Sequence, residues 1–179
     1  RRPTTADRRS LPAPAERVAA SLDAGWTVTF QDGRGAPAAH DVTGPGSWTD
    51  SHVAGVKYFS GTATYKTTWT PAPGTLAAGE FVMLDLGDVR EIADVRVNGR
   101  PVATLWKAPY AVDVTKVLRP GANAIEVQVT NLWVNRLIGD AQEGAEKVTF
   151  TVNPPYNANA PLRPSGLLGP VRIVRSAAK

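Results

Sequence analysis

The sequence predicts an all-β protein, folded as an antiparallel jelly-roll β-sandwich. About nine short segments rich in β-forming residues follow one another, several with alternating apolar and polar residues. Gly 16 and Pro 15 supply the turns that short strands need. No segment between them has the helical periodicity that crossovers of a parallel sheet require. The 179 residues fit one domain, which we place at 15–179, after a flexible basic leader at 1–14.

Each strand is predicted from its alternation and from the turn residues that bound it. Residues 26–30 alternate apolar residues with threonine, so one face of that strand is apolar. Asn98-Gly99 readily adopts positive φ at both residues, which predicts a tight hairpin. Residues 15–22 are expected to form one or two helical turns. The predicted strands are 26–30, 65–69, 81–86, 92–97, 101–105, 110–114, 125–129, 148–152 and 171–174.

Charge and composition exclude several classes of function. The formal net charge is +4, but Arg1, Arg2, Arg8 and Arg9 concentrate it in the leader. The predicted strands mix both signs, which argues against a nucleic-acid surface. The absence of cysteine excludes disulfides, thiolate zinc sites and cysteine nucleophiles. No apolar run approaches the length of a membrane span. We therefore expect neither nucleic acid nor membrane as a partner.

Catalytic patterns are sparse. His40 and His52 are expected in loops without an acidic cluster, and no HExxH, P-loop or Gly-x-Ser-x-Gly elbow occurs. Asp85, Asp94 and Glu126 are expected on one side of a sheet, either as its charged outer face or, in a groove, as paired acids. The outer face is the preferred interpretation. A complete small hydrolase or lyase is therefore the least favoured function.

Two stretches carry a more specific signal. The first combines an aromatic and glycine-containing segment at 58–65 with a VNG hairpin at 97–99, a DVT strand at 113–115 and a GAN turn at 121–123. This order resembles the sugar-binding-like jelly-roll domain of family 2-type glycoside hydrolases, which is galactose-binding-domain-like.

The second stretch, at 130–140 and 164–171, looks like the C-terminal region of glycoside hydrolase family 106. Those proteins are α-L-rhamnosidase-like enzymes of bacterial polysaccharide breakdown. They carry their catalytic acids in a separate barrel domain, and this chain shows no βα repeat. The resemblance therefore implies a non-catalytic accessory domain of a secreted or periplasmic glycosidase. Its implied partners are carbohydrate and the parent's catalytic domain, and it lends no catalytic residues.

Sugar-binding sites combine an aromatic platform with amides, acids and arginine. Trp133, Asn135, Arg136 and Asp140 follow a strand, in a segment expected to be looped, and form the first candidate site. The alternative interpretation is structural: the indole of Trp133 would cap the core, and Arg136 and Asp140 would form a local ion pair.

Two further aromatics complete the candidates. Trp106 lies near a predicted sheet end, where stacking on sugar and packing at the rim are equally plausible, and Trp48 is similar. Tyr156 lies in a long irregular segment that could reach a neighbouring active site. Trp26 and Trp69 keep strand phase and are predicted in the core.

No cofactor is expected, although a structural calcium ion remains open, since sandwich modules often hold one. Two functions remain. One is an accessory domain that supports a catalytic domain. The other is an independent carbohydrate-binding module that holds a rhamnose-containing or related plant or algal polysaccharide through Trp133, Trp106 or Tyr156. A plain protein-interaction domain is a third, less favoured function.

Overall fold

A computed structural model describes residues 16–37, 39–40, 44–76 and 79–177, so the predicted leader at 1–14 lies outside the described residues. None of the described helices is both long and apolar enough to cross a membrane. The strands are β1 Glu16–Ser21, β2 Thr27–Phe30, β3 Ala39–His40, β4 Thr62–Trp69, β5 Glu80–Asp85, β6 Asp88–Arg90, β7 Ile92–Val97, β8 Arg100–Leu105, β9 Ala111–Asp113, β10 Asn123–Thr130, β11 Gly166–Gly169 and β12 Arg172–Ala177. The α-helices are α1 Ala54–Lys57 and α2 Val134–Asp140, and a 3-10 turn covers Trp48–Asp50.

The strands form two main antiparallel sheets, which confirms the predicted β-sandwich. One sheet has the order β1-β12-β5-β9 and the other the order β3-β2-β4-β10-β7-β8. A short β11-β6 pair stands apart from both. Consecutive strands often lie in different sheets, as β4 and β5 do, which is the connectivity of a wound sandwich rather than a meander.

The core fills the space between the two main sheets. Trp26 and Trp69 are buried in it, as predicted, and Trp48 is buried as well, so Trp48 is no stacking platform. The Tyr65 hydroxyl accepts hydrogen bonds from the Trp48 indole and from the backbone N of Leu167. Burial outweighs these two donors and raises the pKa of Tyr65 to about 12, so the phenol stays neutral.

Four local predictions were wrong. Residues 15–22 were expected to be helical, but β1 pairs along β12 instead, as an edge strand whose exposed side chains lack the alternation of a half-buried strand. Residues 148–152 form no strand, because the carboxylate of Asp140 captures the amides of Val148 and Thr149. The segment after β10 was expected to be looped and contains α2. His40, expected in a loop, has its backbone in β3.

The motif residues behind the family resemblance hold one end of the six-stranded sheet together. Asn98 adopts φ 53° and Gly99 φ 76°, as the predicted hairpin requires. The Asn98 amide donates to Asn123 Oδ1 at 2.9 Å, and Asn123 Nδ2 donates to two turn carbonyls, those of Arg119 and Gly121. Asn123 is fully buried, so its amide satisfies backbone groups that water cannot reach.

Candidate functional site

Several connections leave the six-stranded sheet at the end opposite the Asn98 hairpin. Phe30, at the end of β2, pairs with Ala63 beside the start of β4. Thr130, at the end of β10, pairs with Thr62 on β4 and with Ile92, the first residue of β7. The register of β7 and β8 places the end of β8 here too. We call this region the loop end.

Helix α2 lies in the interior of the loop end, and all seven of its residues are buried. Val134, Leu137 and Ile138 recur at the spacing of one helical face, which is the signal that the looped prediction missed. Just before the helix, the Asn131 amide donates to the Phe59 carbonyl at 2.9 Å. This bond ties the start of α2 to the segment that enters β4.

Asn135 lies inside the protein, with only 1% of its surface exposed. Its Nδ2 donates to the Arg163 carbonyl at 2.7 Å and to Ser165 Oγ at 3.1 Å, and its Oδ1 accepts from Arg163 N at 2.8 Å. These bonds join α2 to the far end of the long 141–165 connection. The amide therefore faces the chain itself, and sugar contact through Asn135 finds no support in this geometry.

Arg136 and Asp140 form the ion pair of the alternative interpretation. Arg136 Nη2 lies 2.9 Å from Asp140 Oδ1, with side-chain exposures of 6% and 8%. Asp140 also accepts from Val148 N at 3.0 Å, from Thr149 N at 2.9 Å and from the Thr149 hydroxyl. Burial alone would raise the pKa of Asp140, but these donors and the guanidinium hold that pKa below its ordinary value. The ion pair fixes the loop, and little of either charged group is exposed to solvent.

Gln142 adds a third tie between α2 and the long connection. Its side-chain amide donates to the Ile138 carbonyl at 3.1 Å and to the Ala158 carbonyl at 2.9 Å. With Thr149 held by Asp140, both ends of the segment 150–157 are fastened to the helix. We call this segment the arm. Sequence reasoning missed Gln142 and Thr149, because nothing in their spacing shows that the chain returns to them.

The arm borders a groove of about 680 Å³ at the C-terminal end of α2. Tyr156 is half-buried and lines it together with Leu137, Pro154 and Asp140. Tyr156 and Asp140 are thus the two predicted site residues that share one cavity. The oxygens of Asp140 are already engaged by the chain itself. The groove therefore presents ring and aliphatic surface together with the polar side chains of Lys147, Thr151 and Asn157.

The two remaining candidates are exposed indoles at the loop end. Trp133 is 71% exposed, so the interpretation that it caps the core is wrong. Trp106, which directly follows β8, is 67% exposed, and the Lys107 ammonium lies 5.3 Å from its ring centroid. Because β8 and β10 flank β7, the backbones that lead to the two indoles are separated by two strand spacings, roughly 10 Å.

The three acids considered as candidates for a catalytic pair do not share one sheet. Asp85 lies in the four-stranded sheet, whereas Asp94 and Glu126 lie in the six-stranded one. Glu126 is flanked by Lys66 at 3.4 Å and Arg96 at 4.0 Å, as expected for the charged outer face of a sheet. Asp94 and Glu126 therefore belong to the charged outer face of the sheet, which was the preferred interpretation.

Metal ligands are not grouped in the part of the chain that the structure describes. No three His, Cys, Asp or Glu side chains there come together in a way that could hold an ion. A structural calcium ion stays a prediction.

Comparison with known proteins places the domain among glycosidase modules. A curated relative from Formosa agariphila, named "Putative beta-glucuronidase", is 40% identical and matches 71% of this chain. A solved rhamnosidase from Novosphingobium sp. PP1Y is 48% identical over 97% of this chain, with a TM-score of 0.88. The chain spans 13% of the first relative and 16% of the second.

A more distant structure repeats the same fold. A β-D-glucuronidase of Dictyoglomus thermophilum matches 94% of this chain and 29% of its own length, with a TM-score of 0.63 and 17% identity. The family model described as "Glycosyl hydrolase 2 galactose-binding domain-like" matches residues 48–163, which include α2, the arm and the Asn98 hairpin. The resemblance predicted from the motifs is thereby confirmed, and the chain belongs to the glycosyl hydrolase 2 galactose-binding domain-like family.

Proposed function

We propose that this chain is the non-catalytic accessory domain of an α-L-rhamnosidase-like glycoside hydrolase, and that it supports a separate catalytic domain. The carrying observation is the match to the rhamnosidase, which covers 97% of this chain at 48% identity but only 16% of that protein. A domain of this size has a core of its own and can fold as a unit within a larger polypeptide. A secreted or periplasmic setting belongs to the same proposal.

The arrangement of the buried polar side chains of α2 favours a structural role beside a catalytic domain. The buried polar side chains of α2 bind other parts of the chain, and their effect is to hold the loop end in one shape. Loops at the end of a rigid sandwich are well suited to a contact with a neighbouring domain, because the scaffold fixes their positions.

Deletion of the domain from the glycosidase that carries it tests this proposal. We expect thermal inactivation of rhamnosidase activity at a temperature lower by several degrees, because an interdomain interface is lost. We also expect the 179-residue chain alone to hydrolyse neither aryl rhamnosides nor aryl glucuronides. An enzyme with unchanged inactivation temperature and unchanged kcat/KM after the deletion would remove the basis for a supporting role.

Direct glycan binding is a second candidate, favoured by the exposure of Trp106 and Trp133 at one end of one sheet. Indole faces stack on the apolar C–H faces of sugars, and the two rings emerge close enough to act together. The expected dissociation constant is on the order of 1 mM, or about −4 kcal/mol. Calorimetric titration with L-rhamnose and rhamnose-containing oligosaccharides, with and without calcium, measures it. Heat that saturates and disappears in Trp133→Ala would establish this candidate.

A further inference from the structure

The arm exposes two large apolar side chains. Phe150 is 91% exposed and Val152 is 80% exposed, the highest values among the large hydrophobic residues that the structure describes. Pro154 and Pro155 follow after Asn153 and border the same groove as Phe150 and Val152. Leaving such side chains in water forgoes the free energy that their burial against a partner would contribute.

The arm is held in place although its own side chains bury little. Asp140 binds the backbone of Thr149 at one end, and Gln142 binds the carbonyl of Ala158 at the other. Farther along, Asn135 fixes Arg163. A segment that is fastened at both ends has already lost part of its conformational freedom. Less entropy is then lost when it docks.

The backbone of the arm is also available. From 150 to 157, no backbone amide donates a hydrogen bond to another described residue. A fastened segment with exposed apolar side chains and free amides has the properties of a protein-docking surface, because a partner can bury the side chains and accept from the backbone.

We propose that the arm is the docking surface for the catalytic domain of the same glycosidase polypeptide, which buries Phe150 and Val152 and closes over the groove beside Tyr156. This inference rests on the proposed function and names the surface that performs it. Most of the length of the rhamnosidase lies outside the matching domain, so the partner is covalently tethered. A tether supplies a high effective concentration, which lets a modest apolar contact persist.

A glycan fits the arm less well than a protein does. Sugar sites combine a flat aromatic ring with several free hydrogen-bonding side chains. The two large hydrophobic side chains that the arm exposes most are a phenyl ring and an isopropyl group. The carboxylate that lines the groove with them, that of Asp140, is already bonded to Val148, Thr149 and Arg136.

Amide hydrogen exchange in two contexts tests the proposal. In the isolated 179-residue chain, the amides of 150–153 and 156–157 should exchange rapidly. In the full-length glycosidase they should exchange at least about tenfold more slowly, while the turn at 119–122, at the opposite end of the sheet, should not change. Equal exchange of the arm in both contexts would overturn the proposal.

The pattern elsewhere separates this proposal from the one on which it rests. Slower exchange at another surface, such as Phe81 and its neighbours on β5, with unchanged exchange in the arm, would refute the arm as the docking surface. It would leave the proposed supporting role intact. No protection anywhere in the domain would contradict both. Slowed exchange of the arm on addition of rhamnose oligosaccharides to the isolated chain would show a glycan site and overturn protein docking.

A pair of variants completes the test. The double substitution Phe150→Ser and Val152→Ser should leave the melting temperature of the isolated chain within about 2 °C, because both side chains are exposed. In the full-length glycosidase it should restore fast exchange of the arm. The matched control is Phe81→Ser, which removes a 46% exposed phenyl group from the outer face of the other sheet. If the control releases the arm as fully as the double variant does, the docking surface lies elsewhere.

Discussion

Substitution of Asp140 by asparagine should destabilise the domain by about 3 kcal/mol, although the side chain keeps its size. One carboxylate oxygen becomes an NH2 group, which meets the donors Val148 N, Thr149 N or the Thr149 hydroxyl. The guanidinium of Arg136, only 6% exposed, loses its counter-charge. Removal of one partner of a buried pair costs about 3–5 kcal/mol, and we take the lower end because asparagine keeps one acceptor.

Guanidinium chloride unfolding, followed by tryptophan fluorescence, measures this loss. For a domain of this length the change corresponds to a melting temperature lower by roughly 6–12 °C. The matched control is Asp113→Asn. Asp113 also accepts from the amide and hydroxyl of a threonine two residues ahead, but it is exposed and has no cationic partner among the described residues. We expect the control to cost about 1 kcal/mol. If Asp140→Asn costs no more than the control, the buried pair is not what fixes the loop end.

The same substitution predicts a pH dependence. The folded-state pKa of Asp140 is lowered, so its ionisation contributes stability that is fully present above the unfolded-state pKa of about 4. That contribution is lost as the pH falls toward and through the lower folded-state pKa. The stability difference between wild type and Asp140→Asn should therefore be constant from about pH 7 to 5 and shrink below that range. A stability difference that instead grew as the pH fell would contradict a lowered folded-state pKa of Asp140.

Three further substitutions probe other parts of the fold and site. Asn123→Asp replaces an amide that donates to two backbone carbonyls, so unfolding titrations should show a loss of about 2–4 kcal/mol, and a loss below about 1 kcal/mol would refute its role. Gly139→Ala places a methyl group 2.5 Å from Tyr58 Cβ and should cost about 1–3 kcal/mol in the same assay, whereas Gly46→Ala, with open space around it, should stay near neutral; equal effects would contradict the tight packing of α2. Trp133→Ala should leave the melting temperature unchanged within about 2 °C, because its indole is exposed, and a larger fall would show that the ring packs after all.

The sandwich could be predicted because the strands that build its core alternate. Residues 26–30 and 92–97 place every second side chain between the sheets, and period-2 alternation is characteristic of a half-buried strand. Asn98-Gly99 marked its hairpin because few other dipeptides adopt positive φ twice. The edge strand β1 could not be found in this way, because its pairing with β12 uses backbone atoms, which are the same for any sequence.

The candidate site was predicted less completely, for a related reason. The i, i+4 pair of Arg136 and Asp140 is local and was foreseen as an ion pair. The contacts of Asp140 with Val148 and Thr149, and of Asn135 with Arg163, depend on where an irregular segment of some twenty-five residues returns. The alternation in 148–152 predicted a strand, but the two amides that would have begun it are captured by a carboxylate.

Titration of the 179-residue chain into the separately produced remainder of its glycosidase would decide whether this domain supports a catalytic partner. We predict saturable 1:1 binding with a negative heat-capacity change, as expected when the apolar side chains of the arm leave water. The Phe150→Ser, Val152→Ser double variant should weaken that binding, and Phe81→Ser should not. No heat with a folded, active remainder, together with saturable heat from rhamnose oligosaccharides, would instead make the chain an independent carbohydrate-binding module.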